Sequence, residues 1–136
     1  MAQSFDYTNK PIIFCATEEG TVSTASTTVA RWTFVAPTDM YLDRVSMAVG
    51  AVGGGGAGYT EVSVSKNTLT TGRLFSTNTL QIAHNSSTAY ASITRSSLNS
   101  TGLAKVSQGD RLLVYVRELP TTASTHLTVS LTSMGA

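Results

Sequence analysis

VGAVGGGGAGYTEVSVSKN occupies residues 49–67, and two architectures compete for it. Gly53, Gly55 and Gly58 have the spacing G-x-G-x-x-G, which cradles a dinucleotide pyrophosphate when a strand leads into the glycines and a helix leaves them. The phosphate then rests on the free N–H groups of the helix start. Here the glycines lead into Tyr59, Thr60, Glu61, Val62, Ser63, Val64, Ser65 and Lys66, an alternation of polar and apolar residues with period two. That is a strand, not a helix. No Lys-Ser or Lys-Thr pair comes after the glycines, so a phosphate-binding loop of the nucleotidase type fails as well. The glycines read as a flexible loop between two strands.

The same alternation recurs on both sides of this stretch. Within 28–36, Ala30, Trp32 and Phe34 share one face and Arg31 and Thr33 the other; within 41–51, Val45, Met47 and Val49 lie opposite Arg44 and Ser46. Runs at 12–16, 111–118 and 127–131 obey the rule, with Leu112, Val114 and Val116 together and Leu127, Val129 and Leu131 together. Segments 73–76, 79–83, 90–95 and 102–106 are shorter strand candidates, separated by Gly, Pro, Asn and Asp turns. Helical spacing is nowhere sustained. The expectation is an all-β antiparallel two-sheet sandwich of about eight to ten strands, a jelly roll in preference to an open barrel.

Composition agrees. Charged residues make up 12% of the 136-residue chain, against about 25% in an average globular protein. The 17 serines and 22 threonines supply a hydroxylated surface in place of an ionic one. One domain, 12–136, succeeds an N-terminal arm, 1–11, in which Phe5 and Tyr7 are spaced as anchors for a neighbouring subunit. Gly53, Gly54, Gly55 and Gly56 are the other candidate partner contacts, through a loop able to mould against a second protein.

The net charge of +1, with nine scattered basic residues, gives no footprint for nucleic acid. No apolar run approaches the ~20 residues of a membrane span, and the arm has no apolar signal region. Cys15 is the single cysteine, so no internal disulfide forms; it reads as a small buried hydrophobe in a chain folded in a cytoplasm.

Catalytic groups are scarce. His84 and His126 are the two histidines, His84 in a turn and His126 at the start of the last strand, and two His with one Cys are too few for zinc. The eight carboxylates mostly adjoin turns, where capping of backbone N–H groups explains them. A sugar site needs an exposed aromatic platform, and Trp32, the one tryptophan, reads as core beside Ala30 and Phe34. No catalytic residue, metal site or cofactor is expected, and no enzyme.

Four phrases in order, FVAPTDMYLDRVSMAVGA, TEVSVSKNTLTTGRLFS, VSQGDRLLVYV and HLTVSLTS, resemble a pattern of small jelly-roll proteins of tailed bacteriophages. Head decoration, or cement, proteins and domains of tail or collar fibres belong to that group. The resemblance implies a non-enzymatic virion structural protein, made in the host cytoplasm and bound as a homotrimer to the major capsid protein on the outer head surface. Such a protein clamps neighbouring capsid subunits, and its repeated contacts act together once one is made. The alternative that the resemblance implies is a tail or collar fibre domain recognising host cell-surface glycan.

Overall fold

The computed structural model describes residues 10–68, 80–94 and 105–135. It is all-β, with nine strands among those residues: β1 (Pro11–Thr21), β2 (Trp32–Val35), β3 (Met40–Ala48), β4 (Tyr59–Lys66), β5 (Leu80–Ala83), β6 (Tyr90–Thr94), β7 (Lys105–Val106), β8 (Arg111–Glu118) and β9 (Thr125–Gly135). The first sheet runs β1-β9-β3-β6, with β7 also on β3, and the second runs β2-β8-β4-β5. All pairs are antiparallel. Most successive strands thus swap between sheets, while the last two, β8 and β9, insert beside β2 and β1. This interleaving makes the sandwich a jelly roll. The sequence candidate at 73–76 lies outside the described residues, as do Phe5 and Tyr7 of the arm.

The inner faces meet in one core. Val45 and Met47 of β3, Val62 and Val64 of β4, Leu112, Val114 and Val116 of β8, and Leu127, Val129 and Leu131 of β9 are buried there together. Each large aliphatic side chain so buried is worth about 1.5–3 kcal/mol. Met40 and Leu42 of β3 are also buried, although their parity is opposite to that of Val45 and Met47. A register shift against β9 between Leu42 and Arg44 accounts for this, because a β-bulge at Asp43 turns the alternation over by one residue.

One expectation about burial is corrected and another is met in part. Cys15 is exposed. Both phases of residues 12–16 are apolar, so the local sequence does not choose between them. Pairing with β9 does, setting Phe14 opposite Leu131 and Ala16 opposite Val129 on the core side, and Cys15 opposite Ser130 on the outside. Trp32 is only half-buried, packed against the rim of the core. It opens an edge strand that is shorter than the 28–36 run, because residues 22–31 cross from the edge of one sheet to the edge of the other.

The second sheet also departs from simple alternation. Glu61, Ser63 and Ser65 of β4 and Leu113 and Tyr115 of β8, which point away from the core, are buried too. Glu61 compensates its burial by accepting from Gln81 Nε2 at 2.8 Å and lying 3.5 Å from Arg117 Nε.

Candidate functional site

Three regions are the candidates for a site: the glycine crossover, the start of β1, and the side of the sandwich where β1 and β2 face each other.

The crossover 49–58 carries the chain from β3 in the first sheet to β4 in the second. Gly54 and Thr122 exchange both backbone hydrogen bonds at 2.9 Å, Thr121 N–H donates to Ala57 O, and Asn85 N–H donates to Gly53 O at 2.7 Å. Gly53 is buried, and its N–H donates to Ser124 Oγ, which lies 2.6 Å from Thr60 Oγ1 in a buried hydroxyl pair. A Cβ on Gly53 would stand 2.3 Å from Thr122 O and 2.9 Å from Ser124 N, both backbone atoms. Gly55 has φ +92°, in the left-handed region that favours glycine. The glycines therefore serve close backbone approach, and the loop is stitched to residues 119–124 and 84–85. Gly55 and Gly56 are exposed at its tip, Gly54 is half-buried, and Gly53 faces inward. His84 sits in the adjoining turn with Nδ1 3.0 Å from Gly58 O.

The arm joins the body at the other end. Lys10 O accepts from Gly135 N–H at 2.9 Å and Pro11 opens β1 opposite Met134. The glycine crossover meets β9 at its first residue, where Ala51 bridges Thr125, itself the partner of Thr21. The 11 residues of β1 thus separate the two regions, about 35 Å of strand. The root of the arm at Lys10 and the glycine tip thus lie at opposite ends of β1, while Phe5 and Tyr7 themselves lie outside the described residues.

On the side of the sandwich, Phe14 of β1 and Phe34 of β2 stack with centroids 5.0 Å apart. Beyond them the crossing segment 22–31 leaves an open pocket of about 340 Å³ lined by Thr17, Glu18, Ser23, Thr24, Ser26, Val29, Ala30, Arg31 and Trp32. Arg31 pins this segment. Its Nη1 donates to Glu18 Oε2 and to Ser23 Oγ at 2.7 Å, and its Nη2 donates to the carbonyls of Thr24 at 2.6 Å and Ser23 at 3.2 Å. Glu18 Oε1 accepts from Ser23 N–H at 2.9 Å. Burial alone would raise the Glu18 carboxyl, yet the Ser23 N–H, the Arg31 guanidinium and the Ser23 hydroxyl together hold it below the ordinary glutamate value. The carboxylate is ionised at neutral pH and its charge is matched by its partner.

The sequence signals for this cluster are present but unlinked: Glu18 and Arg31 stand 13 residues apart, and only the return of β2 beside β1 brings them together. Among the described residues no three of His, Cys, Asp and Glu come together as a metal cluster. Glu61 and Glu118 are register partners, but Glu61 is engaged by Gln81 and Arg117, and the pocket with an aromatic wall holds Glu18 as its one carboxylate.

No family model matches the chain, and no curated protein matches it. Among solved structures, the fold is similar to a chain of the capsid of Ralstonia phage GP4, with TM-score 0.55 and 14% identity over 100% of this chain and 91% of that one. A chain of the cyanophage Pam1 capsid aligns with TM-score 0.48 and 11% identity over 100% and 92% of the two chains. A chain of the native Kashmir bee virus virion aligns with TM-score 0.36 and 8% identity, over 98% and 75%.

Proposed function

We propose that this chain is a non-enzymatic structural protein of a bacteriophage virion, a decoration or cement protein that binds the outer head surface as a homotrimer and clamps neighbouring capsid subunits. The observation that carries the reading is the fold likeness along the whole chain to a chain of the Ralstonia phage GP4 capsid. The form of the molecule supports it. A stitched sandwich presents fixed surfaces, so docking orders few additional groups and little entropy is lost. The arm is rooted at one end of β1 and the glycine tip lies at the other, about 35 Å of strand away, so one subunit can reach neighbours from two distant places and gain from linked contacts.

Removal of residues 1–9, which keeps the Lys10 bond to Gly135, tests the reading on heads assembled from the major capsid protein. Occupancy should fall by at least tenfold if Phe5 and Tyr7 anchor the clamp; unchanged occupancy overturns the anchoring role. Full-length protein that leaves such heads undecorated overturns the head-binding reading itself. Light scattering of the full chain gives the oligomer directly, and a monomer at the concentration used for head binding overturns the trimer.

A further inference from the structure

The pocket between β1 and β2 has a composition that docking onto a capsid does not require. One wall is the half-buried indole of Trp32. The rest is mixed: the Glu18 carboxylate with its Arg31 partner, the Ser23 hydroxyl and the Thr24 carbonyl on the polar side, and Val29 and Ala30 on the apolar side. Its volume of about 340 Å³ falls at the small end of ligand sites, which run from about 300 to 1,000 Å³.

Electrostatics narrows the choice of occupant. Glu18 and Arg31 are in contact, with side chains 19% and 16% exposed, so each cancels the other's charge. An anion meets no free positive charge here, and a cation meets no free negative one. The pocket is left with a rigid, charge-balanced array of donors and acceptors beside an aromatic face. That array suits a neutral polyhydroxylated ring, whose C–H face packs on an indole while its hydroxyls donate and accept at once. Hydrogen bonds from such hydroxyls to an ionised carboxylate are also stronger than those between neutral groups.

We propose that this pocket is a binding site for a neutral saccharide, with Trp32 as the stacking wall and Glu18 and Ser23 as the hydrogen-bonding groups. The site is independent of the clamp: it lies on the side of the sandwich and needs neither the arm nor the glycine tip. A particle-bound copy would carry this sugar contact laterally, between its two sheet edges.

Trp32 is the only tryptophan, so its emission reports on this pocket alone. The isolated full-length protein is titrated with glucose, galactose, mannose, rhamnose, N-acetylglucosamine, lactose and diacetylchitobiose, and with sodium phosphate and choline chloride as charged controls. At least one saccharide should shift or quench the emission saturably, with half-saturation in the millimolar range or tighter, about that of a weak single-pocket complex; the two ions should not. Glu18→Gln should weaken the response about tenfold or more, as expected for loss of a charged hydrogen bond. Because that variant also loosens Arg31, Thr24→Phe provides the second arm. Thr24 holds Arg31 through its backbone carbonyl, so a bulky side chain there occupies the pocket while leaving the knot intact. Binding should vanish with the melting temperature unchanged. No saturable response to any saccharide, a response to phosphate in its place, or an undiminished response in Thr24→Phe overturns the proposal. None of these outcomes bears on head binding, which is measured separately.

Discussion

At the glycine end of the sandwich, backbone meets backbone. Gly54 and Thr122 pair reciprocally, Ala57 O and Gly53 O each accept a neighbouring N–H, and the buried hydroxyls of Ser124 and Thr60 fill the remaining space without any charge. At the opposite end, side chains perform the same task. Asn67, at φ 65°, accepts from Arg111 N–H at 2.9 Å through Oδ1 and donates from Nδ2 to Asp110 Oδ1 at 3.1 Å. Arg111 Nη2 donates to Asn67 O, Asp110 Oδ2 accepts from Ser107 N–H, and Lys66 Nζ donates to Lys105 O. The two ends differ in tolerance. Backbone contact at van der Waals limits has no room to relax, whereas a partly exposed side-chain network can exchange a lost partner for water.

The largest expected effect comes from that rigidity. Gly53→Ala drives a methyl into Thr122 O and Ser124 N, and it should cost upwards of about 4 kcal/mol, in the range reserved for severe steric lesions. Urea denaturation checks it, and a variant as stable as the parent would show that the crossover yields after all. At the other end Asn67→Ala loses two side-chain hydrogen bonds and leaves a non-glycine residue at positive φ without the local bonding that favours Asn there. About 2–3 kcal/mol is expected, measured by the same denaturation. A loss as large as that of Gly53→Ala would erase the difference between the ends.

Gly56→Ala isolates backbone strain from contact, since a Cβ there meets nothing within 4 Å while φ is +97°. It should cost only about 1–2 kcal/mol, well short of its neighbour Gly53. Smaller still is the acid response of Asp110. Its carboxyl is held below the ordinary aspartate value first by the Ser107 N–H and then by the Asn67 side chain. Because the folded value is the lower one, the stabilisation is complete above the unfolded value near ~4 and disappears as pH falls through it toward the folded value. Thermal melts from neutral pH to pH 2 should show a shallower acid decline in Asp110→Asn than in the parent; parallel curves would remove this carboxylate from the account. The smallest effect belongs to Ser133, a core residue of β9 whose buried hydroxyl has no hydrogen-bond partner among the described residues. Ser133→Ala should be neutral or stabilise slightly, because it removes an unpaired polar atom at little cost in packing, and a loss above about 1 kcal/mol in urea would indicate a partner.

Much of the sandwich is legible in the sequence, and for a local reason. Val45 and Met47, Val62 and Val64, and Leu127 to Leu131 alternate with polar or small residues in the sequence because one side of each strand faces the core. Where both phases are apolar, as around Cys15, or where a bulge turns the phase over, as at Asp43, the alternation carries no answer. The outward face of β4 and β8 misleads in the other direction, since Glu61, Ser63 and Ser65 look solvated and are buried. The candidate sites behave similarly. A run of glycines advertises a special backbone but not its cause, and here the cause is Thr122 and Ser124, some 70 residues on. Nothing local links Glu18 to Arg31 or turns Trp32 toward a pocket.

Side-chain periodicity and the conformations each residue permits are enough to establish that this chain forms strands, how their inner faces are composed, and that the glycine run is no nucleotide loop. Strand order, the phase of β1, the approach of the crossover to residues 119–124 and the charge-balanced pocket beside Trp32 belong to the assembled sandwich alone. They depend on which strands become neighbours, and that choice is made by the joint burial of faces distant along the chain, a sum no short segment contains.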